Sequence, residues 1–183
     1  MARIHILGAS GSGTTTLGAS LAARLGCPHE DTDTYFWLPT DPPFTSPRPA
    51  KDRLALLLPR LAGTRWVLSG SALKWGTELE RLYDLVVFLR LDPALRMARL
   101  CRREAERFGA RIAPGGDMAA TSHAFLDWAE SYDTAGPEHR SLLAHEQWIA
   151  TVTCPVMRLD SAAPVHQLAE AVLGHLSAGP GLV

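Results

Sequence analysis

The chain has 183 residues, 46% hydrophobic and 20% charged, enough apolar material for one globular domain with a proper core and too much for a mainly disordered protein. Eighteen basic residues face 19 acidic ones for a net charge of −1, which excludes a general nucleic-acid or anionic-membrane binder, since both need a basic excess. Cys27, Cys101 and Cys154 lie far apart with no CxxC spacing, so neither a disulfide framework nor a zinc site is expected. The apolar runs "LALLLP" and "LVVFL" are short of a membrane span, and the first residues are too soon broken by glycine for a signal peptide. The expectation is a soluble, cytoplasmic protein without a membrane or nucleic-acid partner.

In chain order, "RIHIL" predicts a strand over Arg3 to Leu7 and "GASGSGTTT" a glycine-rich turn over Gly8 to Thr16. A helix follows from Thr14 to Leu25, with Leu17, Leu21 and Leu25 on one face and Gly26 as its stop. Further strands are predicted over Cys27 to Asp31, Arg65 to Ser69, Leu85 to Leu91 and Pro155 to Leu159. Asp92 followed by Pro93 marks the start of a helix ending near Gly109, and later helices are predicted over Thr121 to Tyr132, Pro137 to Ala150 and Val165 to Leu176. Strands alternating with helices predict an α/β domain over 1–183, a parallel sheet with helices on both faces. Two segments break the alternation. The proline-rich Thr34 to Pro49 belongs to a first insertion, 34–61, and the glycine-rich "GARIAPGGDM" to a second, 104–120.

The glycine turn nearly matches the phosphate-loop pattern G-x-x-x-x-G-K-[ST], with Thr14 in the place of lysine. Gly8, Gly11 and Gly13 let the backbone turn its N–H groups inward around an anion, with Ser10, Ser12 and Thr16 as small neighbours and the helix N-terminus adding positive potential. Thr15 stands where the pattern's hydroxyl takes Mg²⁺. Thr14 cannot bring lysine's mobile charge, a loss of roughly 3 kcal/mol at the transition state if nothing compensates. A strand–glycine turn–helix without any phosphate is the alternative reading.

Asp31 and Asp33 fall on one side of an extended chain, where one can attend Mg²⁺ and the other the proton of an acceptor hydroxyl; a solvated acidic turn is the competing view. Phe36 and Trp37 offer a stacking wall, and Arg48 and Arg53 a place for an acceptor's negative charge. Lys74, one of two lysines with Lys51, follows the third strand and is the leading candidate for a displaced phosphate cation, with an ordinary exposed lysine as the competing and simpler reading. Arg96, Arg99, Arg103 and Arg107 share a helical arc of roughly 80° that leads into the second insertion, where Arg111 rides, while Arg140 can join from a later helix. A salt-bridged solvated face is the alternative for that stripe.

With these residues in place, the chain resembles the adenylate-kinase-like P-loop small-molecule kinases, a group with nucleotide, nucleoside and shikimate kinases. The resemblance implies a three-layer P-loop NTPase fold, a five-stranded sheet in the order 2-3-1-4-5, an acceptor-binding insertion at 34–61 and a lid at 104–120. Arg99 and Arg103 have the R-x-x-x-R spacing of adenylate kinases, Asp31 and Asp33 look like the D-x-D of shikimate kinases, and Asp160 to Ala163 matches the adenine-side loop. Ser69-Gly70-Ser71 departs from the D-G-F-P-R of adenylate kinases. The implied activity is ATP- and Mg²⁺-dependent phosphoryl transfer to a small molecule or nucleotide, with Asp33, Lys74 and Arg103 catalytic. A nucleotide-binding regulatory or sensor protein is the alternative.

Overall fold

The computed structural model describes residues 2–178. Its elements are β1 (Ala2–Gly8), α1 (Thr14–Leu25), β2 (His29–Asp31), α2 (Thr32–Phe36), α3 (Ala50–Leu57), β3 (Arg65–Ser69), α4 (Thr77–Glu80), β4 (Leu85–Arg90), α5 (Pro93–Phe108), α6 (Ala119–Glu130), α7 (Leu142–Ile149), β5 (Val156–Asp160) and α8 (Val165–Ala178). The strands pair in parallel in the order β2-β3-β1-β4-β5, as the kinase resemblance implied. Because β1 has β3 on one side and β4 on the other, the chain reverses its winding at β1. The crevice beyond the carboxyl end of such a strand is where open α/β sheets receive ligands, and the glycine turn lies there.

Strand alternation builds two cores. Ile4, Ile6, Val67, Leu85, Val87 and Leu89 meet Leu17 and Leu21 of α1 and Leu168 and Val172 of α8 on one face. Leu7, Trp66, Leu68, Val86 and Phe88 meet Leu54, Leu57 and Ile149 on the other. His5 shares this second face, fully buried, with its ring stacked 4.6 Å from that of Tyr83.

Three short helices go beyond the sequence reading. Asp31 and Asp33 do not continue one extended stretch: Asp31 Oδ1 accepts the Asp33 amide at 3.0 Å and starts α2, so Asp33 lies in a helical first turn. An acidic N-cap stabilises that turn. Helices α3 and α4 lack the length and periodicity that would announce them. Helix α7 starts five residues later than predicted, because the Ser141 hydroxyl accepts the Ala144 amide and makes Ser141, not the region of Pro137, the cap. Residues 38–47 form an excursion closed at its base by the Trp37–Pro47 bridge and the Leu38 amide on Ser46 O.

Candidate functional site

The glycine turn brings β1 to α1 with its polar backbone facing outward. Gly13, the residue before α1, has φ 89°, and α1 starts with no side-chain cap among the described residues, which leaves the amides of its first turn for an external acceptor. At Gly8 even a Cβ would come within 2.7 Å of Leu89 O, so the strand end must stay bare. Ser10, Gly11, Thr14, Thr15 and Thr16 line the cavity that the turn opens into. Ser12 does not: its side chain is fully buried beneath the turn, without a hydrogen-bond partner for its hydroxyl among the described residues, and only its backbone can serve an anion.

Across the turn, Thr15 Oγ1 donates to Asp31 Oδ2 at 2.7 Å, and the Ser69 hydroxyl donates to the same oxygen at 3.2 Å. His29 Nε2 lies 2.9 Å from Ser69 Oγ. Ends of α1, β2 and β3 are thus gathered on one carboxylate. No group of three or more histidines, cysteines or carboxylates capable of holding a metal occurs among the described residues. The hydroxyl–carboxylate pair nevertheless suits Mg²⁺, which takes one or two protein oxygens and completes its shell with phosphates and water.

The cavity measures about 1060 Å³, at the upper end of small-molecule sites and roomy enough for two ligands. Seven arginine and lysine side chains line it against four carboxylates, which favours anionic occupants. Asp33 opens into it. Desolvation, then the neighbouring Asp31, pushes its carboxyl above the usual range, while Arg140, Arg103 and Arg107 pull it back. Desolvation also lowers the guanidinium pKa of Arg103 and of Arg140, and Arg140 donates to Ser10 Oγ at 2.9 Å.

Each of four arginines rests on an aromatic ring of the wall. Arg53 lies 4.0 Å from the Phe36 centroid, Arg107 5.0 Å from Phe44, Arg140 5.1 Å from Trp128 and Arg103 5.7 Å from Phe125. Such stacking holds a guanidinium in place without neutralising it. Trp37 packs edge-on to Phe36 and also lines the cavity, as do Arg99 and Lys74. Lys74 is exposed, forms no salt bridge among the described residues, and sits at φ 64°, a conformation that a side-chain-bearing residue rarely adopts.

Two arginines stand apart. Arg48 donates to Tyr35 O at 3.0 Å and Trp37 O at 3.4 Å, bracing the base of the 38–47 excursion outside the cavity lining. Arg96 is 1% exposed and donates to Ala129 O and to Asp133, both at 2.7 Å, so the predicted stripe loses its first member to the packing of α5 on α6. Arg140 lies in the turn ahead of α7 and reaches the cavity from there. Arg99 donates to Ser161 O at 3.3 Å, bridging α5 to the loop 160–163.

Other wall residues carry no motif. Trp75, Phe125 and Trp128 are brought in from distant positions, and Trp128 stays exposed despite its size. Ser71 reaches the wall through the departure at the end of β3.

No protein-family model matches the chain. The protein YqaC of Bacillus subtilis (strain 168), itself uncharacterized, is 44% identical over 175 residues, covering 95% of this chain and 97% of its own. Among solved structures, a shikimate kinase from Acinetobacter baumannii in complex with shikimate aligns with TM-score 0.56 and 16% identity over 97% of this chain and 94% of its own. A gluconokinase from Sinorhizobium meliloti 1021 aligns with TM-score 0.54 and 20% identity over 96% and 91%. A shikimate kinase from Bacteroides thetaiotaomicron aligns with TM-score 0.55 and 17% identity over 96% and 98%. At these identities the structural likeness carries the fold, and the sequence likeness carries the kinship: the chain belongs to the family of Bacillus subtilis YqaC and is built on the P-loop fold of small-molecule kinases.

Proposed function

We propose that this chain transfers a phosphoryl group from ATP, with Mg²⁺, to a hydroxyl of a small anionic acceptor. The observation that supports this most is the Thr15–Asp31 pair, 2.7 Å apart beside an uncapped helix N-terminus in a cation-rich cavity. In that reading the backbone from Gly8 to Thr16 holds the phosphates, Thr15 and Asp31 hold the metal, and ATP supplies the group transferred. Asp33 takes the acceptor's proton as the acceptor oxygen bonds to the γ-phosphorus and the bond to the oxygen of departing ADP breaks. Its raised carboxyl pKa suits a base better than an ordinary aspartate would. Arg99, Arg103, Arg107 and Lys74 neutralise phosphate charge, while Arg53 and Arg140, with Phe36 and Trp37, hold the acceptor.

Residues 34–61 then serve as the acceptor insertion and 104–120 as the lid. Arg111, donating to Asp41 at 3.3 Å and to Asp117 at 2.6 Å, ties one segment to the other, which supports a shared role in closure. The test is ADP release coupled to a reporter, with D-gluconate, shikimate, nucleosides and nucleoside monophosphates as acceptors. Turnover with a hydroxy acid is expected; calorimetry finding no ATP·Mg²⁺ binding at millimolar nucleotide would overturn the proposal.

A second reading, a nucleotide sensor without catalysis, is favoured by Thr14 alone, where the phosphate-loop pattern has lysine. Thr14→Lys separates the two. It raises a slow activity in an impaired enzyme, changes little if Lys74 already supplies the charge, and yields no transfer in a sensor.

A further inference from the structure

A polar chain that the proposed reaction does not use runs from the cavity wall into the core. Ser71, two residues beyond β3, has its Oγ 3.0 Å from His145 Nε2, and His145 Nδ1 lies 2.7 Å from the Tyr132 hydroxyl. The three residues come from the β3–α4 loop, from α7 and from the 3₁₀ turn Ser131–Asp133. His145 is wholly buried and Tyr132 nearly so, whereas Ser71 faces the cavity. Gly70 packs against Thr32, with Asp31 next to it, which puts Ser71 at the aspartate end of the site.

The protons along this chain follow from hydrogen-bond satisfaction. Burial, with Arg140 and His5 nearby, pushes the His145 imidazole down to about 3, so it is neutral near pH 7 and has one N–H and one lone pair. Tyr132, raised by burial, keeps its proton. Its hydroxyl has His145 as its sole hydrogen-bond partner among the described residues. The phenol must therefore donate to Nδ1, because the other tautomer would strand its proton in the core, and buried donors are rarely left unmade. Nε2 then carries the imidazole proton and donates it to Ser71 Oγ. With that oxygen accepting, the serine's own proton is excluded from the histidine and is free to turn toward the cavity.

We propose that Ser71 donates a directed hydrogen bond to a proton-free oxygen of the phosphoryl acceptor, a carboxylate or carbonyl, and that His145 and Tyr132 are positioning residues that set its direction. The proposal rests on the phosphotransferase reading for the identity of the occupant. It adds a selection rule: a proton-free oxygen at this point takes the serine's proton, whereas an N–H or ammonium finds only the hydroxyl's remaining lone pair and is bound more weakly.

Two measurements on the full chain test it. In ¹⁵N-labelled protein, imidazole correlations are expected to show His145 with Nε2 protonated and Nδ1 bare, and Tyr132→Phe to mix the tautomers while backbone amide signals stay folded; an Nδ1–H imidazole in the wild type overturns the proposal. In kinetics with D-gluconate and shikimate, Ser71→Ala is expected to raise the acceptor KM about tenfold with the ATP KM within about twofold, Ser71→Thr to restore it, and Tyr132→Phe to fall between. Equal acceptor KM in Ser71→Ala and wild type overturns the proposal. If the wild type turns over neither compound, calorimetry of D-gluconate binding decides: affinity about tenfold weaker in Ser71→Ala keeps the proposal and retires only the reaction, while equal affinity, or no binding by either protein, overturns it.

Discussion

Arg96 and Arg103 occupy the same stripe of α5, two turns apart, and lead opposite lives. Arg96 is enclosed, with both terminal nitrogens donating to the end of α6 and the turn after it. Arg103 is half-buried, stacked near Phe125, and its nearest carboxylate, on Glu104, stands off at 4.0 Å. The first guanidinium is consumed by architecture; the second keeps its charge available to the cavity. Helix geometry alone cannot separate them, since what differs is the element each one faces.

Removing each in turn should make the contrast visible. Arg96→Ala strands the Asp133 carboxylate and Ala129 O and should cost about 3 kcal/mol of stability, a fall of roughly 10 °C in Tm by calorimetry. Arg103→Ala should leave Tm within about 2 °C and lower kcat about a hundredfold, the usual cost of one charge-stabilising donor. Were Arg103→Ala to unfold the chain, the division between structural and cavity arginines would fail.

Acid separates the same two populations. Burial holds the His5 pKa at about 4 and that of His145 at about 3, so between those values and about 6.5 the unfolded chain binds protons that the folded chain refuses. The stability these residues contribute is complete above pH 6.5 and is lost as pH falls, by about 2 kcal/mol per histidine between pH 7 and pH 5 in urea titrations. His5→Phe should remove about half of that loss. Asp33 responds on the activity side: its raised carboxyl should place the acid limb of kcat/KM above the ordinary aspartate range.

The smallest effect concerns Lys74, which pairs a cavity cation with a strained backbone at φ 64°. Lys74→Gly should relieve the strain and gain up to about 1 kcal/mol of stability, while lowering kcat by about tenfold through the lost charge. A variant that loses stability as well would show that Lys74 belongs with Arg96 rather than with Arg103.

The parallel sheet was legible because its cues are local: apolar runs at Arg65–Ser69 and Leu85–Arg90, the Asp92–Pro93 start of α5, and the glycines after β1. The pairing of Asp31 with Thr15 was half legible. Both residues stood out by motif, yet the turn that bends Asp33 into α2 is made by a cap, a contact no periodicity announces. The proline excursion was visible as irregular chain, but the fate of its arginines was not. Arg48 serves backbone carbonyls at the base while Arg53 stacks on Phe36.

What the amino-acid order determined by itself is the set of short-range geometries: strand, glycine turn, helix, and hydroxyl and carboxylate residues at the ends that converge on the crevice. Spacing along one element is enough for those, since neighbours within a turn or a strand are close whatever the rest of the chain does. Only the tertiary structure decided which cations remain unpaired, which aromatics become wall, and that Ser71, His145 and Tyr132 form one chain, although Ser71 and His145 stand 74 residues apart and His145 and Tyr132 13. Those outcomes depend on burial and on partners from distant elements, and such contacts exist only once the two cores have packed.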